Sequence, residues 1–215
     1  MKHLIELDNT RKALLAGLLT TFISAPYVLA YNRMPKQFLL VSLIILSVMM
    51  WQMVFAWTPQ KKYLPEWDDI TVFLRTSGLL IFSAVSLSLL SIFFADSYLI
   101  REIAGYGPGN PKEFWFTLAW TMSFQALFLV PFPFTCIYRL TNSSYTAIAG
   151  VVLFVEFLAF SKAQMLHLSP KCLFIFLAFS ILKGLFCVFS YSKMGLPGLS
   201  LVSGIFYARF LLKLF

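Results

Sequence analysis

The chain has 215 residues, of which 60% are hydrophobic and only 12% charged, with a net charge of +8 and a mean hydropathy of +0.81. Soluble domains run at about 45–50% apolar and about 25% charged, and an aqueous fold would have no surface to offer 24 Phe residues. Composition therefore excludes a water-soluble core. It predicts an all-α, polytopic transmembrane bundle of six or seven short-looped helices, a single integral membrane domain over 1–215.

A crossing needs about 20 mostly apolar residues, and the candidate segments are 13–31, 38–57, 71–97, 114–138, 145–162, 171–191 and 197–215. Lys2, Arg11 and Lys12 precede the first, which ends "YVLA" as a signal peptide would. We read it as a retained membrane helix with a kink at Pro26 that its neighbours must accommodate. The second segment carries Gln52 near its middle. The third would run roughly 40 Å, beyond a hydrocarbon core of about 30 Å, so it should tilt or push both ends into the headgroups. Arg75 and Asp96, near those ends, are then placed to snorkel and need no function. Ser83, Ser86, Ser88 and Ser91 have no base partner in sequence and read as packing residues, with Ala84 and Ser88 a small-residue row for a neighbour.

The fourth segment follows the turn-rich "GYGPGNPKE" and holds Gln125. Asn142 to Ser144 matches a glycosylation acceptor by letter only. The fifth and sixth segments carry Glu156 and Lys183 and are joined by "AQMLHLSPK". In the seventh, Pro197 suits a first helical turn, and Ser200, Gly204 and Ala208 form a small-xxx-small row for helix packing. Arg209 and Lys213 share one face at its end. The segment reads as a short span with a basic tip, the alternative being a helix lying in the interface.

Charges at mid-membrane cost about 2.5–3.5 kcal/mol each, which makes Glu156 and Lys183 the first candidates for a site. An antiparallel hairpin about the intervening turn leaves each some 13 positions away, at one depth. If the fifth helix stops at Lys162, they are offset by about six residues, roughly 9 Å. The expected reading is an intramembrane charge pair gluing two helices. The alternative is a small transporter or permease subunit in which Gln52 and Gln125 extend the pair into a polar path.

His3 and His167 are the only histidines, one terminal and one at a turn, so no zinc site, other metal or cofactor is expected. No GxSxG, HExxH, phosphate-binding or dinucleotide loop occurs. The CAAX-protease and bacteriocin-processing pattern fails at "FTCIYR", where Phe134 and Thr135 stand in place of adjacent glutamates. Cys136, Cys172 and Cys187 form no CxxC pair and read as apolar fillers. The expectation is a protein that is not an enzyme, acting as a scaffold or subunit of a membrane-embedded assembly.

Two stretches carry a resemblance to a family. "GYGPGNPKEFWFTLAW" with "ALFLVPF", and "FVEFLAFSKAQMLHLSPKCLFIFLAFSIL" with its His-x-Ser turn at His167 and Ser169, are similar to the Yip family of Rab-interacting membrane proteins and its bacterial relatives. The resemblance covers residues 105–191. It implies a non-enzymatic helical bundle that works through partners or membrane organisation, and a bacterial inner (plasma) membrane location.

The 17 Lys and Arg lie singly or in pairs between apolar runs, as interfacial anchors and anionic-lipid contacts do. The expected partners are the lipid bilayer and other membrane subunits or a second copy of the chain, with no nucleic acid. Lys2, Arg11, Lys12, Lys61, Lys62, Arg139 and Lys193 fall on one face, against Arg33, Lys36, Arg101, Lys112, Lys162 and Lys171 on the other. This near balance leaves the first helix, with its three leading basic residues, to place the amino terminus in the cytoplasm.

Overall fold

The computed structural model describes residues 7–31, 34–57, 70–103 and 106–213; Lys2, His3, Arg33, Lys61 and Lys62 lie outside them. The helices are α1 (Leu7–Tyr31), α2 (Lys36–Trp57), α3 (Ile70–Ser91), α4 (Ser97–Glu102), α5 (Pro111–Trp120), α6 (Ala126–Leu129), α7 (Pro131–Thr141), α8 (Ser144–Met165) and α9 (Pro170–Ala208). Two π-turns, Ile92–Asp96 and Thr121–Gln125, weld α3 to α4 and α5 to α6. No strand occurs among the described residues. Among the described residues, six helical stretches are long and apolar enough to cross a membrane, and the chain is an integral membrane protein.

Local chemistry explains the breaks. Asn110 caps α5 by accepting from the Glu113 amide at 2.8 Å, while the Glu113 carboxylate takes the Gly109 amide at 2.8 Å. Pro111 fills the first helical position, completing a reciprocal start signal. Asn142 ends α7 in the left-handed conformation (φ 52°) and Ser143 caps α8 at once. The Asn-Ser-Ser stretch is thus a helix–helix corner. Ser169 caps α9, and its amide and hydroxyl both donate to Glu102 at the end of α4.

The largest departure from a simple rod is inside α9. Gly195 adopts φ 67°, ψ −155°, a backbone state that a side chain disfavours. Cys187 Sγ lies 3.8 Å from Ser203 Oγ, and the Phe186 and Phe206 ring centroids are 6.2 Å apart. Sixteen residues of straight helix would separate the first pair by about 24 Å. The helix is therefore a hairpin with limbs 170–194 and 196–208, which corresponds to the sixth and seventh segments read from sequence.

Contact registers give the bundle its direction. Ser24 meets Ser123 and Tyr27 stacks on Trp120, so α1 and α5 are antiparallel. Tyr98 pairs with Cys172 and Glu102 with Ser169, so α4 and the first limb of α9 are antiparallel. Ser88 reaches the Ile205 carbonyl and Asp96 reaches Arg209, so α3 and the second limb run the same way. Seven rods result among the described residues, and the last ends on the face where α1 finishes. Packing is close: a Cβ on Gly17 would sit 2.6 Å from Val48 Cγ2 and 2.8 Å from Val48 Cα, so α2 approaches α1 there because position 17 has no side chain.

The hairpin is testable by a cross-link. With Cys136 and Cys172 changed to Ala, Ser203→Cys should join Cys187 under mild oxidation and remain intact after denaturation in non-reducing gels analysed by peptide mass. A straight α9 would give no such product.

Candidate functional site

The charges that meet inside the protein are not the ones the sequence points to. Asp96 is 1% exposed. Its carboxylate accepts from Tyr106 Oη at 2.8 Å, from Ser91 Oγ at 3.3 Å and from Arg209 Nε at 3.3 Å. Arg209 spends its other nitrogens on the Phe206 carbonyl (2.9 Å) and on Tyr106 Oη (3.1 Å). The expectation that Asp96 snorkels is thus corrected. A 3.6-residue repeat turns Asp96 about 100° away from the buried Ala95. The wider π-turn reduces that step and brings both inward. Arg209 is likewise a lock on the third rod, where sequence reading made it a basic tip. Burial is the main cause that pushes the Tyr106 phenol far above its ordinary value, with Arg209 opposing. The hydroxyl therefore stays protonated and available to donate to Asp96.

Above this triad's inner side lies a cavity of about 520 Å³. The two π-turns supply Ala95, Thr121 and Gln125, with Ser91 just before the first. From α8 come Val155, Leu158, Ala159 and Lys162, one stripe at helical spacing. Limb 170–194 adds Phe176, Phe179, Ser180, Lys183 and Cys187; limb 196–208 adds Ser203 and Phe206, with Arg209 and Phe210 beyond it. Lys162 is exposed, so the cavity meets the surface at its level and runs inward to Lys183.

Glu156 and Lys183 do share a depth, since Val155 packs against Gly184 across the α8–α9 contact. Yet no ion pair joins them among the described residues. Glu156 sits one residue, hence about 100°, off the cavity stripe of α8. Its carboxyl lies beside Ser180, and its Oε1 is buried without a hydrogen-bond partner. Lys183 faces the cavity instead. Gln125 also lines it, accepting from Thr121 Oγ1 at 3.1 Å. Gln52 donates to Thr10 at 3.2 Å in the α1–α2 pair and is outside the cavity lining. The polar path expected from four residues is thus brought together at two, Lys183 and Gln125.

The small-residue rows are internal. Ser200 donates to the Met122 carbonyl at 3.0 Å, and a Cβ on Gly204 would meet Met122 Sδ at 2.9 Å. Ser200 and Gly204 thereby seat the last limb on the second π-turn, and Ala208 continues their row along the same limb. Ala84 is fully buried, in the cluster that includes Val202 and Phe206. Among the described residues, no group of three or more His, Cys, Asp or Glu is placed to hold a metal.

Comparison with family models, with curated proteins and with solved structures gives no match to this chain.

Removing one partner of a buried pair costs about 3–5 kcal/mol, because the other is left uncompensated. Arg209→Met should therefore lower thermal stability in detergent much more than Arg209→Met combined with Asp96→Leu. Tyr106→Phe should cost about 1–3 kcal/mol. Equal losses for the single and double replacements would show that the pair does not form. Because the Tyr106 value is raised, its contribution is complete below the ordinary tyrosine value of about 10 and fades as pH rises towards the raised one. Alkaline melting curves should show a decline that Tyr106→Phe lacks.

Proposed function

We propose that the protein is a non-catalytic membrane subunit whose task is to hold a solute inside the bilayer, within an assembly with other membrane proteins or further copies of itself. The observation that carries this reading is the cavity that reaches Lys183 at mid-bundle. Such a cavity, at 520 Å³, falls within the range of small-molecule clefts, about 300–1,000 Å³. Among the described residues its lining contains no Asp, Glu or His. Similarity of residues 105–191 to the Yip family supports the same non-enzymatic reading. The bacterial members of that family support a bacterial inner membrane, and Lys2, Arg11 and Lys12, ahead of the first apolar segment, support a cytoplasmic amino terminus.

A second reading, a small transporter or permease subunit, is favoured by the irregular backbone around the cavity. Two π-turns line it and the hairpin break at Gly195 joins two of its walls. Interrupted helices of this kind are where transporters build their sites, and π-turns recur at functional positions.

Both readings require that the cavity be reached from water. With the native cysteines replaced by Ala, Ser180→Cys should react with a small charged thiol reagent applied to membranes from one face, that of Lys162. Ser190→Cys, fully buried and away from the cavity, should not. Reaction of Ser180→Cys from each face in turn would select the transporter. Failure to react from either face would contradict both readings.

A further inference from the structure

We infer that the cavity takes an anionic amphiphile, a molecule with one phosphate or carboxylate head and an apolar body, with Lys183 as the inner partner of the head. The inference rests on the reading of the cavity as an accessible binding site and adds the chemistry of its occupant.

Three cations line the cavity, Lys162, Lys183 and Arg209. Arg209 is engaged at all three nitrogens: Nε goes to Asp96, Nη1 to the Phe206 carbonyl and Nη2 to Tyr106. The two lysines have no such answer. Among the described residues neither enters an ion pair, and no carboxylate lines the cavity. An ammonium at mid-membrane without a counter-charge is costly, and Glu156, at the same depth, is turned aside. A ligand anion would satisfy both the ammonium and the surplus donors. Gln125 adds to these, because its Oε1 accepts from Thr121 and leaves its NH2 to donate.

The rest of the wall is apolar and aromatic. Trp120, Phe128, Phe176 and Phe179 surround the polar strip, which fits a hydrocarbon or aryl body and does not fit a fully hydrated ion. Lys162, exposed at the mouth, is placed to attract the head on entry and to pass it inward. Head and body could come from a bilayer lipid or from a free acid, and the chemistry recognised is the same.

The test uses full-length protein in a neutral detergent, with binding read by native mass spectrometry. Four probes separate the sources: dodecyl phosphate, dodecanol, phosphatidylglycerol and phosphatidylcholine. One retained copy of dodecyl phosphate, of phosphatidylglycerol or of both is expected, with the neutral and zwitterionic counterparts bound far more weakly. Retention of dodecyl phosphate alone assigns a free acid, and retention of phosphatidylglycerol alone a bilayer lipid. Truncating one side of a buried charge contact is expected to weaken binding by at least about tenfold, so Lys183→Gln should do this, Lys183→Arg should retain binding, and Lys112→Gln should leave it unchanged. If Lys183→Gln does not fold, protection serves in its place. The anionic probe that binds should shield Ser180→Cys from thiol reagent, and its neutral or zwitterionic counterpart should not. Equal retention of charged and uncharged probes, or no shielding by either anion, overturns the inference. A Ser180→Cys that labels freely while no anion binds would sink the ligand class and leave the accessible cavity standing.

Discussion

The contact between Arg209 and Asp96 closes residues 113 positions apart in the chain, and much of the architecture depends on it. In a bilayer there is no water to relieve a stray carboxylate or guanidinium, so each must find a partner within the protein. Asp96 finds three, from Ser91, Tyr106 and Arg209. To reach them it needs the π-turn that rotates it inward. Arg209 reaches it only if the chain folds back at Gly195 and returns along the third rod. One buried acid therefore links a local helix defect, a hairpin and the loop residue Tyr106.

The same defects make room. A wide π-turn pushes side chains out of regular spacing, and both of them contribute to the cavity lining, Ala95 from the first and Thr121 and Gln125 from the second. The last limb is seated against the second π-turn by Ser200 and Gly204, so the cavity has a fixed wall on that side. On the α8 side the wall is the stripe ending at exposed Lys162. Rigid packing at one wall with an open, basic mouth at the other is an arrangement for receiving a molecule, and this is the basis of the function proposed above.

Much of the fold was legible because lipid makes hydropathy a direct reading of length. The Pro, Gly and Asn clusters at 107–111, 141–144 and 195–198 mark breaks that the structure places within a few residues. Asn110 and Glu113 even declare their cap in the letters. The site was legible only in part. Lys183 and Gln125 stand out as polar residues in apolar runs, and both line the cavity. Glu156 stands out equally, but a difference of one residue on α8 turns it off the cavity face, and hydropathy carries no information about rotation. The stripe 155, 158, 159 and 162 would have shown it. Asp96 and Arg209 were discounted because each lies near the end of its segment. Their pairing depends on a π-turn and a hairpin, which no periodicity announces.

If the last limb returns along the third rod, residues near Tyr145 and Leu212 must lie on opposite faces of the membrane. Both side chains are exposed, 87% and 66%, so a single cysteine at either position, in a background without the native ones, reports its side directly. The account predicts that an impermeant thiol reagent labels Tyr145→Cys from one face and Leu212→Cys only from the other. Labelling of both from the same face would mean that the chain does not recross after Gly195, and Arg209 could not then close on Asp96.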